Sequence, residues 1–253
     1  MDGLNLVGAV FRIASVFIGI AIAYLAIVIY NKTKGGSQGW VALLMTYTSF
    51  GLWAILQVVF LWILPNYGMR VVSGIILFLV TGFTNPLAVV LLSRDMKLKR
   101  PAWFNKTYCI IFSAAVYLAV FTYNFVLTPF TNPFAELLST MLVCVGVLFL
   151  FAFFGYYIIY KGTKLRVWLF MGIAILLVSA GVFLVAAFSD CCGADGPLHE
   201  AEACDSWMYD YTDALPTPCM EGLLPLSSNG ALLIFLGEIF ALYALLRIYR
   251  SMN

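Results

Sequence analysis

Charged residues are scarce in this chain. Lysine and arginine together number 14 and aspartate and glutamate 12 among 253 residues, so only 10% of the chain is charged whereas 63% is hydrophobic. A soluble domain carries about 25% charged residues, which keep its surface hydrated. This chain has too few polar groups to cover a water-soluble globule, and its composition therefore predicts an integral membrane protein.

Several chemistries lack the residues that they require. His199 is the only histidine, which excludes a haem held by two histidines and histidine-based metal chemistry in the membrane. No lysine stands in the interior of an apolar segment, which excludes a retinal Schiff base. Neither a G-x-S-x-G nor a Walker motif is present, so nucleophilic and nucleotide chemistry lack their signatures. We therefore predict a protein that is not an enzyme, with no cofactor, no metal and no nucleic-acid partner.

Long apolar segments, separated by short connections, make up most of the chain. Segments of about 18 or more apolar residues can cross the roughly 30 Å of bilayer hydrocarbon. Because lipid offers no hydrogen bonds to exposed backbone, and no alternating barrel pattern is present, these segments are predicted to be helices. The sequence thus predicts one all-α, seven-transmembrane domain over residues 1–253. The predicted spans are Leu4–Tyr30, Trp40–Leu64, Val71–Ser93, Thr107–Thr128, Leu137–Tyr160, Val167–Ser189 and Asn229–Arg250.

The positive charges are segregated along the chain. The first, third and fifth connections and the C-terminal end hold 12 of the 14 lysines and arginines. The opposite connections hold only Arg70, and Arg12 lies inside the first span. Cytoplasmic loops carry an excess of lysine and arginine. The sequence therefore predicts a multi-pass protein of the cell membrane with its N-terminus outside and its C-terminus in the cytoplasm. Asp2 stands where a signal peptide would be basic, so the first segment is predicted to be a permanent span.

The connection between the sixth and seventh spans, residues 190–228, is the one long polar stretch. It holds four of the six cysteines, His199 and eight carboxylates, without a lysine or an arginine. The charge pattern places this acidic connection outside the cytoplasm. We therefore predict an extracytoplasmic loop.

The cysteines of that loop are predicted to form disulfides, because an even set of cysteines in an oxidising compartment is typical of a disulfide framework. A direct Cys191–Cys192 bridge would be strained. We expect Cys191 and Cys192 to pair with Cys204 and Cys219, in an order that the sequence leaves open. A zinc site is the weaker alternative, since adjacent cysteines do not match the C-x₂₋₄-C spacing of structural zinc sites.

The "CCG" of this loop, followed later by "PTPC", resembles part of the large outer loop of tetraspanins, and "LGEIFALYALLRIYR" is similar to their last span. The resemblance covers only the loop and the last segment, and the predicted number of spans differs from that of the family. It implies an outside location, disulfide pairing and a protein-contact role for the loop.

Two charged residues stand inside predicted spans, where charges are functional candidates by default. Arg12 is eight residues past Leu4 and Glu238 nine past Asn229, which places both roughly 12–14 Å below the outer starts of their helices. In a closed ring of seven helices the first and last are often neighbours, so we predict an intramembrane Arg12–Glu238 ion pair. The alternatives are that Arg12 extends to the interface and that Glu238 is protonated or contacts a neighbouring subunit.

The third span contains Asn85 and Pro86 in "TGFTNPLAV". Proline removes one helical hydrogen bond and clashes with the preceding turn, which predicts a helix kink at this point. Thr84 and Asn85 are expected to bond the freed carbonyl groups. A structural kink is favoured over a conformational switch.

Two features within the spans predict where helices pack closely and which thiols are buried. Gly19 and Ala23 form a small-x₃-small pattern that favours close helix contact. Cys109 and Cys144 are predicted to be buried, inert thiols.

Two classes of function fit these features. The first is a non-enzymatic receptor-like module, or an accessory or structural subunit of a membrane complex, that contacts a ligand or protein partner, or a second copy of itself, through the outer loop. The alternative is a small-solute transporter or channel with a polar path near Glu238, Asn85 and Gln57. A transporter should gather its polar residues around one cavity, whereas an assembly subunit should spread them over helix contacts.

Overall fold

The computed structural model describes residues 3–33, 37–59, 67–123, 126, 133–191 and 217–252. Over these residues the chain is α-helical with short turns and contains no strand, which confirms the predicted all-α class. The helices are α1 (Gly3–Lys32), α2 (Gln38–Val58), α3 (Tyr67–Asp95), α4 (Lys106–Thr122), α5 (Pro133–Thr163), α6 (Arg166–Cys191) and α7 (Thr217–Ser251).

Five helical segments within these residues are long and apolar enough to cross a membrane, with mean hydropathies of 2.1 to 2.5. They belong to α1, α3, α5, α6 and α7, and they coincide with five of the predicted spans. The helix α4 is apolar but shorter, with 17 residues. The prediction of a multi-pass membrane protein is confirmed at this level. The five segments are Ile13–Lys32, Val72–Asp95, Thr140–Thr163, Arg166–Leu184 and Asn229–Ser251.

Six of the helices close into a ring. Going round it, α1 packs against α2, α2 against α3, α3 against α5, α5 against α6, α6 against α7, and α7 against α1. The helix α4 lies outside this helix ring and packs less extensively against α3 and α5. The expected contact between the first and last helices is therefore confirmed, but the ring has six members rather than seven.

Glycine allows α1 and α2 to approach closely. A Cβ atom added at Gly19 would lie 3.2 Å from Cα of Gly51, and one added at Gly51 would lie 2.9 Å from the carbonyl oxygen of Gly19 and 3.8 Å from Cβ of Ala23. Small side chains let helix backbones pack against each other in a membrane. The small-x₃-small prediction for Gly19 and Ala23 is confirmed.

The basic ends of the helices meet at one end of the bundle. The Ser37 hydroxyl, which caps α2, donates to a carboxylate oxygen of Asp95 at 2.6 Å, and Nζ of Lys32 lies 4.2 Å from the ring centre of Tyr249. A Cβ atom added at Gly162 would lie 2.9 Å from Leu98. The first, third and fifth connections and the C-terminal end of α7 are thus adjacent. Every lysine and arginine whose side chain the structure describes lies at this basic end.

One predicted boundary is wrong. The helix α7 begins at Thr217 rather than at Asn229, so residues 217–228, which we predicted as loop, are helical. Pro218 lies in the first turn, where its fixed φ favours a helix start. The apolar pattern reveals only the membrane-length part of a helix, so this more polar extension was missed. Residues 190 and 191 of the predicted loop are also helical and end α6, and residues 192–216 lie outside the described residues.

Candidate functional site in the helix ring

Glu238 of α7 is buried inside the helix ring, with only 3% of its surface exposed. Among the residues that the structure describes, neither of its carboxyl oxygens has a partner with hydrogen-bond geometry. The nearby Ser15 hydroxyl of α1 interacts with the carboxyl group electrostatically, although it falls short of that geometry. An ionised carboxylate in a membrane costs about 2.5–3.5 kcal/mol on insertion scales. A group with this cost is a candidate for function rather than for packing.

A cavity lies beside Glu238 at the centre of the helix ring. Its volume, counted as the space that the centre of a water-sized sphere can occupy, is about 20 Å³. This is enough for about one water molecule. All six ring helices contribute to its wall and none of the lining residues belongs to α4. This ring cavity is lined by Gly19, Ile22, Thr46, Tyr47, Thr81, Phe149, Ala174, Ile175, Val178, Gly237, Glu238 and Ala241.

The position of Glu238 follows from how α7 packs on α6. A Cβ atom added at Gly237 would lie 2.7 Å from the carbonyl oxygen of Ala174 and 2.6 Å from a methyl group of Val178. The two backbones are therefore in close contact at this level. With Gly237 facing α6, the next residue along the helix, Glu238, reaches the ring cavity.

Threonine hydroxyls of α2 and α3 form one polar part of the ring interior. The Oγ1 atoms of Thr46 and Thr84 lie 2.8 Å apart, and both residues are buried. The single proton of the Thr46 hydroxyl is shared between Thr84 and the carbonyl oxygen of Ala42, 3.0 Å away, while Thr81 donates to the carbonyl oxygen of Leu77. In a membrane, buried hydroxyls need partners of this kind because no bulk water replaces them. These contacts hold α2 and α3 together next to the cavity.

Two buried tyrosines continue the polar interior to α5 and α6. The hydroxyl of Tyr156 donates to Oδ1 of Asn85 at 3.4 Å and also interacts with the hydroxyl of Tyr47. The Tyr47 hydroxyl in turn lies 3.6 Å from Sδ of Met171. The side chain of Asn85 is fully buried, and its Nδ2 has no partner among the described residues. Sequence reasoning missed both tyrosines, because a tyrosine within a predicted span can face lipid as well as a neighbouring helix.

The helix α3 continues through Pro86. Because proline lacks an N–H, the carbonyl of Gly82 loses its usual donor. We expected Thr84 and Asn85 to compensate, but Thr84 donates to the carbonyl of Val80, while Asn85 accepts from Tyr156. Their hydroxyl and amide groups are held by the neighbouring turn and by α5 instead. The kink predicted at Asn85 and Pro86 stays a prediction.

A tyrosine of α4 reaches the same part of α3. The hydroxyl of Tyr117 donates to the carbonyl oxygen of Phe78 at 3.1 Å. It also occupies the space in which a side chain at Gly82 would stand. This buried hydrogen bond attaches α4 to the outside of the helix ring.

The predicted ion pair involves a side chain outside the described residues. The Phe11 and Phe235 rings pack with centroids 5.3 Å apart, so α1 and α7 are in contact at a level close to Arg12 and Glu238. The side chain of Arg12 itself is not among those described, and the Arg12–Glu238 pair stays a prediction. The same holds for the side chain of Gln57.

The cysteines divide into two groups. Cys109 and Cys144 are free and buried, as predicted. The side chains of the four predicted disulfide cysteines, Cys191, Cys192, Cys204 and Cys219, lie outside the described residues, so their pairing stays a prediction. Over the described part of the chain, no group of three or more histidine, cysteine, aspartate or glutamate residues could hold a metal ion.

Comparison of the chain with protein-family models, with curated proteins and with solved structures finds no match. Function is therefore inferred from the residues of the ring interior.

Proposed function

We propose that this chain is a seven-span protein of the cell membrane that moves a small polar solute or an ion through the interior of its helix ring. The observation that carries the proposal is the convergence of polar side chains from α2, α3 and α7 on one central cavity, extended to α5 by Tyr156. Polar groups inside a membrane are costly and typically mark a substrate or ion pathway.

The proposed topology gives each of the seven helices one crossing. The ends of α1, α3, α5 and α7 lie together at the basic end of the bundle, as expected if consecutive helices alternate in direction. In this topology α2 and α4 are the two further spans. The excess of positive charge would put the basic end in the cytoplasm and the N-terminus outside.

The arrangement of the polar residues favours transport over an assembly role. A transporter should gather polar residues around one cavity, whereas an assembly subunit should spread them over helix contacts. Here four polar residues, Thr46, Tyr47, Thr81 and Glu238, line one cavity, and Asn85 lies outside its lining. Residues such as Phe17 and Leu118, with 69% and 70% of their surfaces exposed, cover the outside. An apolar outer surface is what lipid requires. The interpretation as a receptor-like module or accessory subunit stays a prediction, because it rests on residues of the acidic loop that lie outside the described part of the chain.

In this proposal the acidic segment 190–228, which includes the end of α6 and the start of α7, is an outer cap of the transport path. Its four cysteines would form the two predicted disulfides, each of which contributes about 2–4 kcal/mol by restricting the unfolded chain. Its carboxylates would give the outer entrance a negative charge, which raises the local concentration of cations.

The proposal is tested by flux measurements on purified protein in lipid vesicles. Vesicles carrying dyes for H⁺, Na⁺ and K⁺, and light scattering for small neutral solutes, are compared with vesicles that lack protein. We expect flux of at least one of these species. The variant Ala241→Val should reduce that flux, because Ala241 is 3% exposed and lines the ring cavity, so that two added methyl groups reduce the space for a water or solute.

The matched control lies two residues away on the same helix. Ile239 is 40% exposed, and Ile239→Val should leave the flux unchanged. Equal flux in both variants would show that the path does not pass through the ring cavity. Absence of flux for every species in the series would contradict the transport proposal as a whole.

A further inference from the structure

The surroundings of Glu238 contain no described cation. From α1 it is faced by Ser15 and Gly19, and from α2 the cavity wall includes Thr46 and Tyr47. The remaining lining residues on α3, α5 and α6 carry a hydroxyl, an aromatic ring or aliphatic groups. Tyr47 is the one other titratable group in this lining. The Arg12 side chain of α1, outside the described residues, is the one cation that the sequence places near this depth.

A metal cation would find few ligands at this site. The cavity lining holds three hydroxyl groups besides Glu238, and each is already engaged: Thr46 with α3 and its own helix, Thr81 with its own helix, and Tyr47 with Met171. Calcium and magnesium require about six or more oxygen ligands. The space beside the carboxyl group accommodates about one water molecule. The chemistry of the site therefore suits a species that needs one carboxyl group and one water.

From this geometry we infer that the species bound at the centre of the helix ring is a proton, carried by the carboxyl group of Glu238 and exchanged through a water molecule in the ring cavity. This inference rests on the proposed transport function and names its substrate. In the uptake step, a carboxylate oxygen of Glu238 forms an O–H bond with a proton delivered by hydronium, which leaves as water. Release reverses the step, so that no other reactant is consumed.

Protonation also explains why a carboxyl group without a described cationic partner is tolerated in the ring. The neutral acid loses far less solvation on burial than the carboxylate does. In the inferred exchange, the carboxylate forms only while a water molecule from the cavity contacts it. Glu238 thus combines fully buried carboxyl oxygens with a place in the wall of a cavity the size of one water molecule, and reversible proton binding needs that water to reach the carboxyl group.

The test is infrared difference spectroscopy of the full-length protein in lipid, recorded between acidic and alkaline buffers. We expect the C=O stretch of a protonated carboxyl group in an apolar environment, at higher frequency than that of exposed acids. This band should be lost in Glu238→Gln and shifted but retained in Glu238→Asp, which guards against a glutamine variant that does not fold. Asp95→Asn is the matched control, because Asp95 is the other described acidic side chain and lies exposed at the basic end. This variant should lose intensity only at the C=O frequency of water-exposed carboxyl groups and should keep the buried-carboxyl band.

Two results would overturn the inference. One is a buried-carboxyl band that persists in Glu238→Gln, and the other is a wild-type protein that shows no such band. Recovery of folding in the double variant Arg12→Glu with Glu238→Arg, beyond that of either single variant, would also overturn it, because it would establish an ion pair in place of a proton.

The inference and the transport proposal fail in different ways. If the wild-type protein shows no buried-carboxyl band, and its vesicles transport a solute or metal ion with a flux that Glu238→Gln leaves intact, the transport proposal stands and the proton inference is refuted. If the band is present and assigned to Glu238 but the vesicles transport nothing, the inference that Glu238 binds a proton stands and the transport proposal is refuted. Loss of both the band and proton flux in Glu238→Gln, with Asp95→Asn unaffected, supports both.

Discussion

Two glycines of α6 should respond differently to the same substitution. A Cβ atom added at Gly181 would lie 2.6 Å from the carbonyl oxygen of Gly230 and 3.0 Å from the backbone nitrogen of Ile234, both on α7. A Cβ atom added at Gly172 would lie 3.4 Å from the nearest atom, on the side chain of Phe153. Both glycines are buried in the same helix. We therefore compare Gly181→Ala with Gly172→Ala.

The expected effects follow from these distances. Alanine is favoured over glycine within a helix by about 1 kcal/mol, and both variants gain this term. At Gly181 the α7 backbone has to retreat by about 0.8 Å, the difference between 2.6 Å and the 3.4 Å of ordinary contact, and overpacking of this kind costs about 1–3 kcal/mol. Gly172→Ala should stabilise the fold by about 1 kcal/mol. Gly181→Ala should be less stable than Gly172→Ala by about 1–3 kcal/mol.

Two free thiols among the described residues provide the assay. Cys109 and Cys144 are buried, so a thiol-reactive fluorophore reports their exposure as the detergent-solubilised protein is heated. For a chain of this size, a change of 1 kcal/mol corresponds to about 2–4 °C in the unfolding midpoint. The midpoint should rise for Gly172→Ala and should be lower for Gly181→Ala than for Gly172→Ala. If Gly181→Ala unfolded at or above the temperature of Gly172→Ala, the close α6–α7 contact that positions the ring interior would be refuted.

Two further predictions concern the ends and the periphery of the bundle. Lys97 adopts a left-handed conformation with a φ of 53° just after α3, so Lys97→Gly should relieve backbone strain and stabilise the protein by up to about 1 kcal/mol. The control Lys99→Gly removes the same charge from the same connection and should not stabilise the protein. Thermal unfolding compares the two variants, and equal unfolding midpoints would argue against strain at Lys97. Tyr117→Phe removes the buried hydrogen bond from the Tyr117 hydroxyl to the Phe78 carbonyl and should destabilise the fold by about 0.5–1.5 kcal/mol. Tyr108→Phe, at a 49% exposed position of the same helix, should leave the stability unchanged. An equal loss of stability in both variants would show that the Tyr117 hydrogen bond does not hold α4 in place.

The composition of the chain was enough to predict a helical membrane protein. With 10% charged residues the chain cannot hydrate its own surface, and its apolar segments are of membrane length. Both properties are local, because they depend on which residues are present and on how many follow one another. The buried positions of Cys109 and Cys144, and the close contact that Gly19 and Ala23 make with α2, were predictable from residue type and spacing. Asn229 was chosen as the start of the last helix because hydropathy changes there, although helical backbone hydrogen bonding begins earlier, at Thr217.

Only some residues of the candidate site could be identified from the sequence. Glu238 stands out because a carboxyl group inside an apolar segment is costly wherever the segment packs. Tyr47 and Tyr156 do not stand out, because a tyrosine within a span can equally face lipid, a neighbouring helix or the interface. Their convergence with Asn85 depends on how α2, α3 and α5 are rotated about their axes.

The sequence by itself determined that this protein is helical, that it belongs in a membrane and that it contains a carboxyl group in its last long apolar segment, because these properties follow from residue type and local periodicity. Only the tertiary structure decided that α4 lies outside a ring of six helices and that Glu238 faces a cavity the size of one water molecule. The physical reason is that lipid solvates any apolar helix face equally well, so hydropathy does not choose helix neighbours. That choice depends on close backbone contacts such as Gly19–Gly51 and Gly181–Gly230 and on the few buried hydrogen bonds between helices.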